Sequence, residues 1–377
     1  MMDVLSPASS RLAIPLLVGC LTLQVATLSF PVQSDADSVG DWKRMLPISP
    51  RGYLCVHVDE PIQVDGRIDE RSWREAAWTE DFSDIEGARK APPRFRTRAK
   101  MLWDDRYFYV AAQLQEPHVW GTLKEHDSVI FHDNDFEVFI DPNGDNHEYY
   151  ELELNALNTT WDLFLPRPYK DGGRADNRWE IPGLKTAVFV GGTLNDPSDE
   201  DRGWSVEIAI PWKVLAEFAH QPSPPEEGDR WRVNFSRVQW RHQVRGTQYR
   251  KVPNKREDNW VWSPQGIVDM HRPERWGYVQ FSRTASGTKR FQADPALPAR
   301  DALMTVYHHQ KTFFQRHKRW AQSLQMLGLR REHFPQLSGL PGIEITPDGF
   351  RASVPAAAVD GSRTRWHVQH DSRLWAE

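Results

Sequence analysis

From residue 95 to 103, Phe95, Thr97, Ala99, Met101 and Trp103 alternate with Arg96, Arg98 and Lys100, the period-two sign of a half-buried strand. Asp104-Asp105 turns the chain, and residues 107–114 return as the second arm of a hairpin. Further short runs at 136–141, 149–155, 161–165, 185–190, 204–210, 231–240 and 277–281 read as strands separated by Gly, Pro, Asp and Asn turns. Many short strands with such turns predict an antiparallel β-sandwich. Helices are sparse there: one is predicted over 69–77 with Asp69 as cap, another over 211–219 with Pro211 in its first turn. Beyond residue 295 the period changes. Leu303, Val306, Tyr307, Phe313, Phe314, Trp320, Leu324 and Leu327 recur at helical spacing, predicting a helix over 301–327 that ends at Gly328. Short runs at 343–345, 350–354 and 365–369 then suggest a small sheet. The expected fold is mainly β: a sandwich over 56–284 with a C-terminal α+β appendage over 295–377.

The N-terminus follows neither pattern. Arg11 precedes an apolar stretch over 12–28 and a polar segment over 34–37, the layout of a secretory signal peptide spanning 1–34. Leu17-Val18-Gly19-Cys20 resembles a lipobox, which would lipidate Cys20, and an apolar stretch of about 17 residues also leaves an uncleaved anchor open. Cleavage near residue 34 is the expectation, with a linker over 35–55. The protein would then be extracytoplasmic (periplasmic, cell-surface or secreted) and would meet a membrane only through a lipid or an uncleaved anchor. Apart from Cys20 only Cys55 remains, so the mature chain can form no intrachain disulfide.

Composition narrows the partners. With 377 residues, 39% hydrophobic and 26% charged, the chain is ordinary globular material. A net charge of −5 gives no global attraction to nucleic acid, which is not an expected partner. Seventeen Trp supply broad flat faces of the kind that stack on sugars, although most are expected in the core.

Four blocks carry a resemblance. Val64-Asp65-Gly66-Arg67-Ile68-Asp69-Glu70 with Trp73, then residues 99–110, then Asn134-Asp135-Phe136-Glu137-Val138-Phe139-Ile140-Asp141, and finally Gly203-Trp204-Ser205-Val206-Glu207-Ile208-Ala209-Ile210-Pro211-Trp212 together resemble the family 9 carbohydrate-binding modules of the DOMON-like sandwich group. The resemblance covers about 62–281 and implies a sandwich that binds a saccharide. It further implies that two aromatic side chains clamp a terminal sugar: Phe131 matches the first clamp position, and the second falls at Met270 instead of a Trp. Glu137 matches a sugar-contacting carboxylate, whereas Glu153 stands where the family has an Arg. With Trp161 and His271 these form the expected ligand-binding set, on a surface between the loops around Phe131 and Met270.

Catalytic and metal chemistry are less marked. Glu137, Glu151, Glu153 and Asp162 could converge, but nothing selects the opposed pair that glycoside hydrolysis requires. The nucleophile-elbow, zinc-protease and phosphate-loop motifs are absent. The expected function is therefore non-catalytic carbohydrate binding associated with carbohydrate catabolism, with an O-glycosyl hydrolase or its accessory subunit as the alternative. A haem module is a third reading: Met270 and His271 are adjacent, with His118, His126 or His132 as a distant partner. No cofactor is certain. Asp141, Asn143 and Asp145 have the donor density of a Ca²⁺ loop, yet Asp-Pro-Asn-Gly-Asp-Asn is equally a sound hairpin turn. Lys311, Arg316, Lys318 and Arg319 read as a solvated helix face, with an anionic-glycan patch as the sharper alternative.

Overall fold

The first and last motif blocks meet around one carboxylate. Glu207 accepts hydrogen bonds from Asp65 N at 2.9 Å, Gly66 N at 2.8 Å and Trp73 Nε1 at 2.6 Å. Gly66 takes φ +87°, and a Cβ there would lie 2.6 Å from the backbone of Val188 and Phe189, so no other residue fits. The family-like opening and the Glu207 strand are therefore joined for structural reasons. The computed structural model describes residues 38–284, 289–357 and 363–377; the expected signal peptide, Cys20 included, lies outside them.

Fourteen strands build the first body: β1 (Gly52–His57), β2 (Ser83–Asp84), β3 (Thr97–Trp103), β4 (Tyr107–Leu114), β5 (Asp135–Asp141), β6 (Tyr149–Asn155), β7 (Thr160–Leu165), β8 (Lys185–Val190), β9 (Trp204–Pro211), β10 (Arg230–Gln239), β11 (His242–Arg245), β12 (Gln248–Lys251), β13 (Asp258–Val261) and β14 (Gly277–Ser282). The order β7-β6-β5-β10-β14-β1-β3-β4-β9-β8 is continuously hydrogen-bonded. One core takes Phe136, Val138 and Ile140 of β5 together with Val110, Val206 and Ile208 of the other half. The curled sheet thus packs on itself as a sandwich. The β3–β4 hairpin is set by Asp104, whose Oδ1 accepts from the N–H groups of Arg106 and Tyr107 at 2.7 Å each.

Four sequence expectations change here. The described part of the expected linker, 38–55, is structured: α1 (Ser38–Met45) is helical, and β1 runs parallel to both β14 and β3, with Cys55 fully buried. The sandwich is consequently not wholly antiparallel. Helix α2 (Arg71–Glu75) begins after Glu70, with no side-chain cap, so Asp69 does not cap it; α3 is only Trp212–Leu215, and Pro211 sits at its N-cap.

The C-terminal unit is a helix plus a four-stranded sheet, as expected, with other bounds. Helix α4 (Leu297–His317) starts before Asp301 and stops ten residues before Leu327. Lys318 takes a left-handed conformation, and the Gln310 side chain bonds both N and O of Ala321. The chain folds back there, yet Ala321 and Leu327 still enter the same core, which is why the periodicity ran on past the helix. β15 (Gly342–Thr346), β16 (Gly349–Ala357), β17 (Arg363–Gln369) and β18 (Leu374–Ala376) form an antiparallel sheet against α4. All seventeen Trp are buried or half-buried.

Candidate functional site

Strand alternation sends Phe136, Val138, Ile140, Leu152 and Leu154 into the sandwich core and leaves Asp135, Glu137, Glu151 and Glu153 on the opposite face. Glu137 lies directly across from Glu153 on β6 and from Ser236 on β10; Glu153 in turn faces Trp161 on β7. This second face is roofed instead of solvated. Phe139, Tyr149, Trp161, Leu163 and Leu165 share this face with the carboxylates and cluster with Ile130 and Met270 from the covering loops, against which Phe131 packs. Glu137 and Glu153 keep only 4% and 2% of their surface.

The six sequence-predicted ligand residues are brought to this one face. Phe131, half-buried in a single 3-10 turn before β5, donates its N–H to Glu153 Oε2 at 3.0 Å, and its ring lies 6.4 Å from that of Trp161. Its carbonyl accepts from Trp240 Nε1 at 2.9 Å. Met270 and His271 sit in the loop before β14, level with Phe139 and Tyr149, so they reach the far end of the carboxylate row. The His271 ring meets Tyr149 OH at 3.0 Å and packs against Tyr169 and Phe139. Burial pushes its pKa down to about 4, although Asp269 pulls the other way.

The carboxylates are the unusual feature. One oxygen each from Asp135, Glu137 and Glu153 lie within 4.8 Å of one another. Burial raises all of them and Glu151; for Asp135 and Glu153 the charge on Glu137 is the next cause. Among the described residues none of the four is ion-paired to an Arg or Lys. Asp135 Oδ2 and Glu151 Oε2 have no hydrogen-bond partner. An all-oxygen donor set of this kind suits a hard divalent cation. Such a row, side by side on neighbouring strands, differs from the opposed pair of a glycosidase. Asp162 is not part of it: it points to the other face of the sheet, with Oδ2 on Ile181 N at 2.6 Å, beside His126 and Glu180.

Asp141, Asn143 and Asp145 do not fit the Ca²⁺ loop. Asp141 accepts from Gly144 N and Asn146 N, Asn143 from Asp145 N, and Asp145 from His147 N and Arg373. Their side-chain oxygens are taken up in building a turn. Asp135, Glu151, Trp240 and Lys251 complete the surroundings of the site, and sequence reasoning gave them no ligand role. The Lys251 ammonium stands 3.5 Å from the ring centre of Trp240, the residue that follows β10, a contact to the β11–β12 hairpin that no local pattern signals.

A curled sandwich with a polar face beside its hydrophobic core is a scaffold shared by many binding domains. Here the kind is more specific. Residues 64–226 match the family described as "Carbohydrate family 9 binding domain-like", as the motifs in that stretch implied. The chain is 28% identical over 117 residues to "Exoglucanase XynX" of Acetivibrio thermocellus, covering 31% of this chain and 9% of that protein. It is 27% identical over 152 residues to "Endo-1,4-beta-xylanase A" of Thermoanaerobacterium saccharolyticum, covering 40% and 11%. The chain thus spans about a tenth of the length of these curated relatives. A family 9 carbohydrate-binding module from Caldicellulosiruptor kristjanssonii, solved with cellotriose, is similar over 64% of this chain and 100% of its own, at 16% identity and TM-score 0.40.

Proposed function

We propose that this chain is an exported, non-catalytic carbohydrate-binding protein associated with polysaccharide breakdown, and that the Glu137–Glu153 face is its saccharide site. The observation that carries the reading is the match of residues 64–226 to a carbohydrate-binding family, with Glu137, Glu153 and the turn bearing Phe131 inside the matched stretch. Buried carboxylates accept hydrogen bonds from sugar hydroxyls, and the Phe131 ring supplies an apolar face at the rim. Because the face is closed, sugar entry requires the turn around Phe131 to shift, and that conformational step weakens apparent affinity. The relatives named as exoglucanase and xylanase fit the association with polysaccharide breakdown, and the side-by-side carboxylates favour binding over cleavage. The apolar stretch over 12–28 supports export, which N-terminal sequencing of the mature protein tests.

Calorimetric titration with cello- and xylo-oligosaccharides tests the site. Weak binding is expected, reduced by roughly 1 to 3 kcal/mol in Phe131→Ala, by analogy with aromatic stacking contacts, with little change in melting temperature. Saccharide binding that survives both Phe131→Ala and Glu137→Gln would remove this site. A large loss of stability with binding retained would assign Phe131 to the core.

A further inference from the structure

Between the sandwich and the C-terminal unit lies a second, chemically distinct cavity of about 150 Å³. Its walls carry three guanidinium groups, those of Arg230 and Arg232 on β10 and of Arg300 in the first turn of α4; Tyr278, Asp294 and Trp366 close the sides. Arg232 and Arg300 are buried, at 1% and 5% exposure, while Arg230 and Trp366 are half-exposed. The Arg232 guanidinium stacks 3.8 Å over the Tyr278 ring and donates to Trp276 O at 2.7 Å; Arg300 stacks on Trp366 at 4.7 Å and donates to Gly144 O. These contacts fix the planes without neutralising the charge.

The neighbouring arginines show what is missing. Arg275 is tied to Asp301 at 2.5 Å and Arg373 to Asp145 at 3.1 Å. Among the described residues no carboxylate lies within ion-pair distance of Arg230, Arg232 or Arg300, and the Nε of each has no partner. Asp294, the one acid in the cavity wall, accepts from Tyr278 OH at 2.9 Å and from Ala296 N at 2.9 Å. Asp141, across from Arg232 on β5, has its oxygens on backbone N–H groups. Burial pulls Arg232 down to about 10, with Arg300 acting in the same direction against Tyr278. A buried cation with no direct ion-pair partner is unfavourable, and planar guanidinium forks are matched by two-oxygen anions.

We infer that this cavity is an oxyanion-binding site, taking the carboxylate, sulfate or phosphate group of a ligand whose remaining bulk lies outside past Arg230 and Trp366. Three guanidiniums against one wall carboxylate leave the cavity cationic, and its volume holds one such group and little more. The source is either a free inorganic anion or the acidic group of a saccharide; only the second depends on the carbohydrate reading above.

The test is calorimetric titration of the full chain with sodium sulfate, sodium phosphate, sodium glucuronate and glucose, at ionic strength held constant with sodium chloride. At least one oxyanion is expected to bind at millimolar or lower concentration and glucose not to compete for it. Affinity should fall at least tenfold in Arg300→Gln and severalfold in Arg230→Gln. The Arg230 variant guards against misfolding, since that side chain makes no hydrogen bond to the rest of the described chain. Tighter glucuronate than sulfate identifies an acidic saccharide; the reverse identifies an inorganic anion. No oxyanion binding above the chloride background, or binding unchanged in both variants, overturns the site even if neutral oligosaccharides bind at the Glu137 face. In that event the arginines would serve only to join the two units.

Discussion

Glu137 and Glu153 show how a residue's chemistry can be legible while its environment is not. A charged residue alternating with apolar ones on a strand ordinarily points to water, and for that reason neither Asp135 nor Glu151 was expected to bind ligand. Their burial comes from the segment carrying Ile130 and Phe131 and the loop carrying Met270, both remote in sequence. One consequence is measurable. Burial pushes Glu137 up to about 7 from 4.5, so the folded chain holds a proton that the unfolded chain releases between those values. This contribution to stability is fully present below pH 4.5 and is lost as pH rises through about 7. Asp171 has the opposite sign: Lys170 and Lys311, at 3.1 Å each, overcome the effect of burial and hold its carboxyl well below the usual range, so its stabilisation falls away only in acid, below about pH 4. Melting temperature should therefore be higher at pH 5 than at pH 8, and Glu137→Gln should raise it at pH 8 by the equivalent of roughly 1 to 3 kcal/mol while changing it little at pH 5. Equal effects of the substitution at both pH values would show that Glu137 is ionised in the folded state, with a cation or a mobile roof compensating it.

At the scale of elements, strands were the easiest to read, since period two survives wherever one side of a sheet meets a core. Nine strand runs inferred from the sequence all appear, within one residue of their bounds in all but the first, which starts two residues later, at Thr97. Local pattern failed where the chain was short or supported from a distance: β1 lay inside the supposed linker because its partners, β3 and β14, are 40 and more than 200 residues away. The Asp141–Asn146 turn left two readings open in the sequence. Its oxygen-rich composition suggested a metal loop, whereas its outer groups hold the C-terminal sheet: Asp145 O accepts from Leu374 N at 2.9 Å, Asn146 Nδ2 donates to Ser372 O at 2.9 Å, and Asp145 Oδ2 pairs with Arg373. Loss of the Asp145 carboxylate leaves Arg373 and the His147 N–H without it, at a cost of about 1 to 2 kcal/mol. In Asp145→Ala, amide exchange across residues 363–377 should quicken by about tenfold, with β3 and β4 unaffected; Ca²⁺ or EDTA should change neither protein. Stabilisation of the parent by Ca²⁺ that disappears in the variant would instead restore the metal reading.

For the whole molecule, the boundary drawn from sequence at 284–295 separates two patterns of periodicity but not two independent bodies. The described residues form one compact unit. Trp42 and Met45 from the start of the chain, Ile267 from the loop before β14, and Leu303, Val306, Phe350 and Val368 from the C-terminal unit share one core. Trp42 stacks on His308 at 4.9 Å and donates to Thr305 Oγ1 at 2.8 Å, so α1 is held by α4 across more than 250 residues. Sequence distance hid this, because neither helix alone shows what its apolar face meets. Cutting the chain after residue 294 would expose Trp42, Met45 and Ile267 and leave the Arg275 guanidinium without Asp301. Removing such apolar cover costs several kcal/mol at roughly 25 cal/mol per Å². The full chain should therefore unfold in one calorimetric transition, and a chain ending at 294 should melt at least about 5 °C lower and bind a hydrophobic dye. Two transitions in the full chain, with the truncated sandwich melting at the temperature of one of them, would show that the C-terminal unit is an independent domain and that the shared core contributes little.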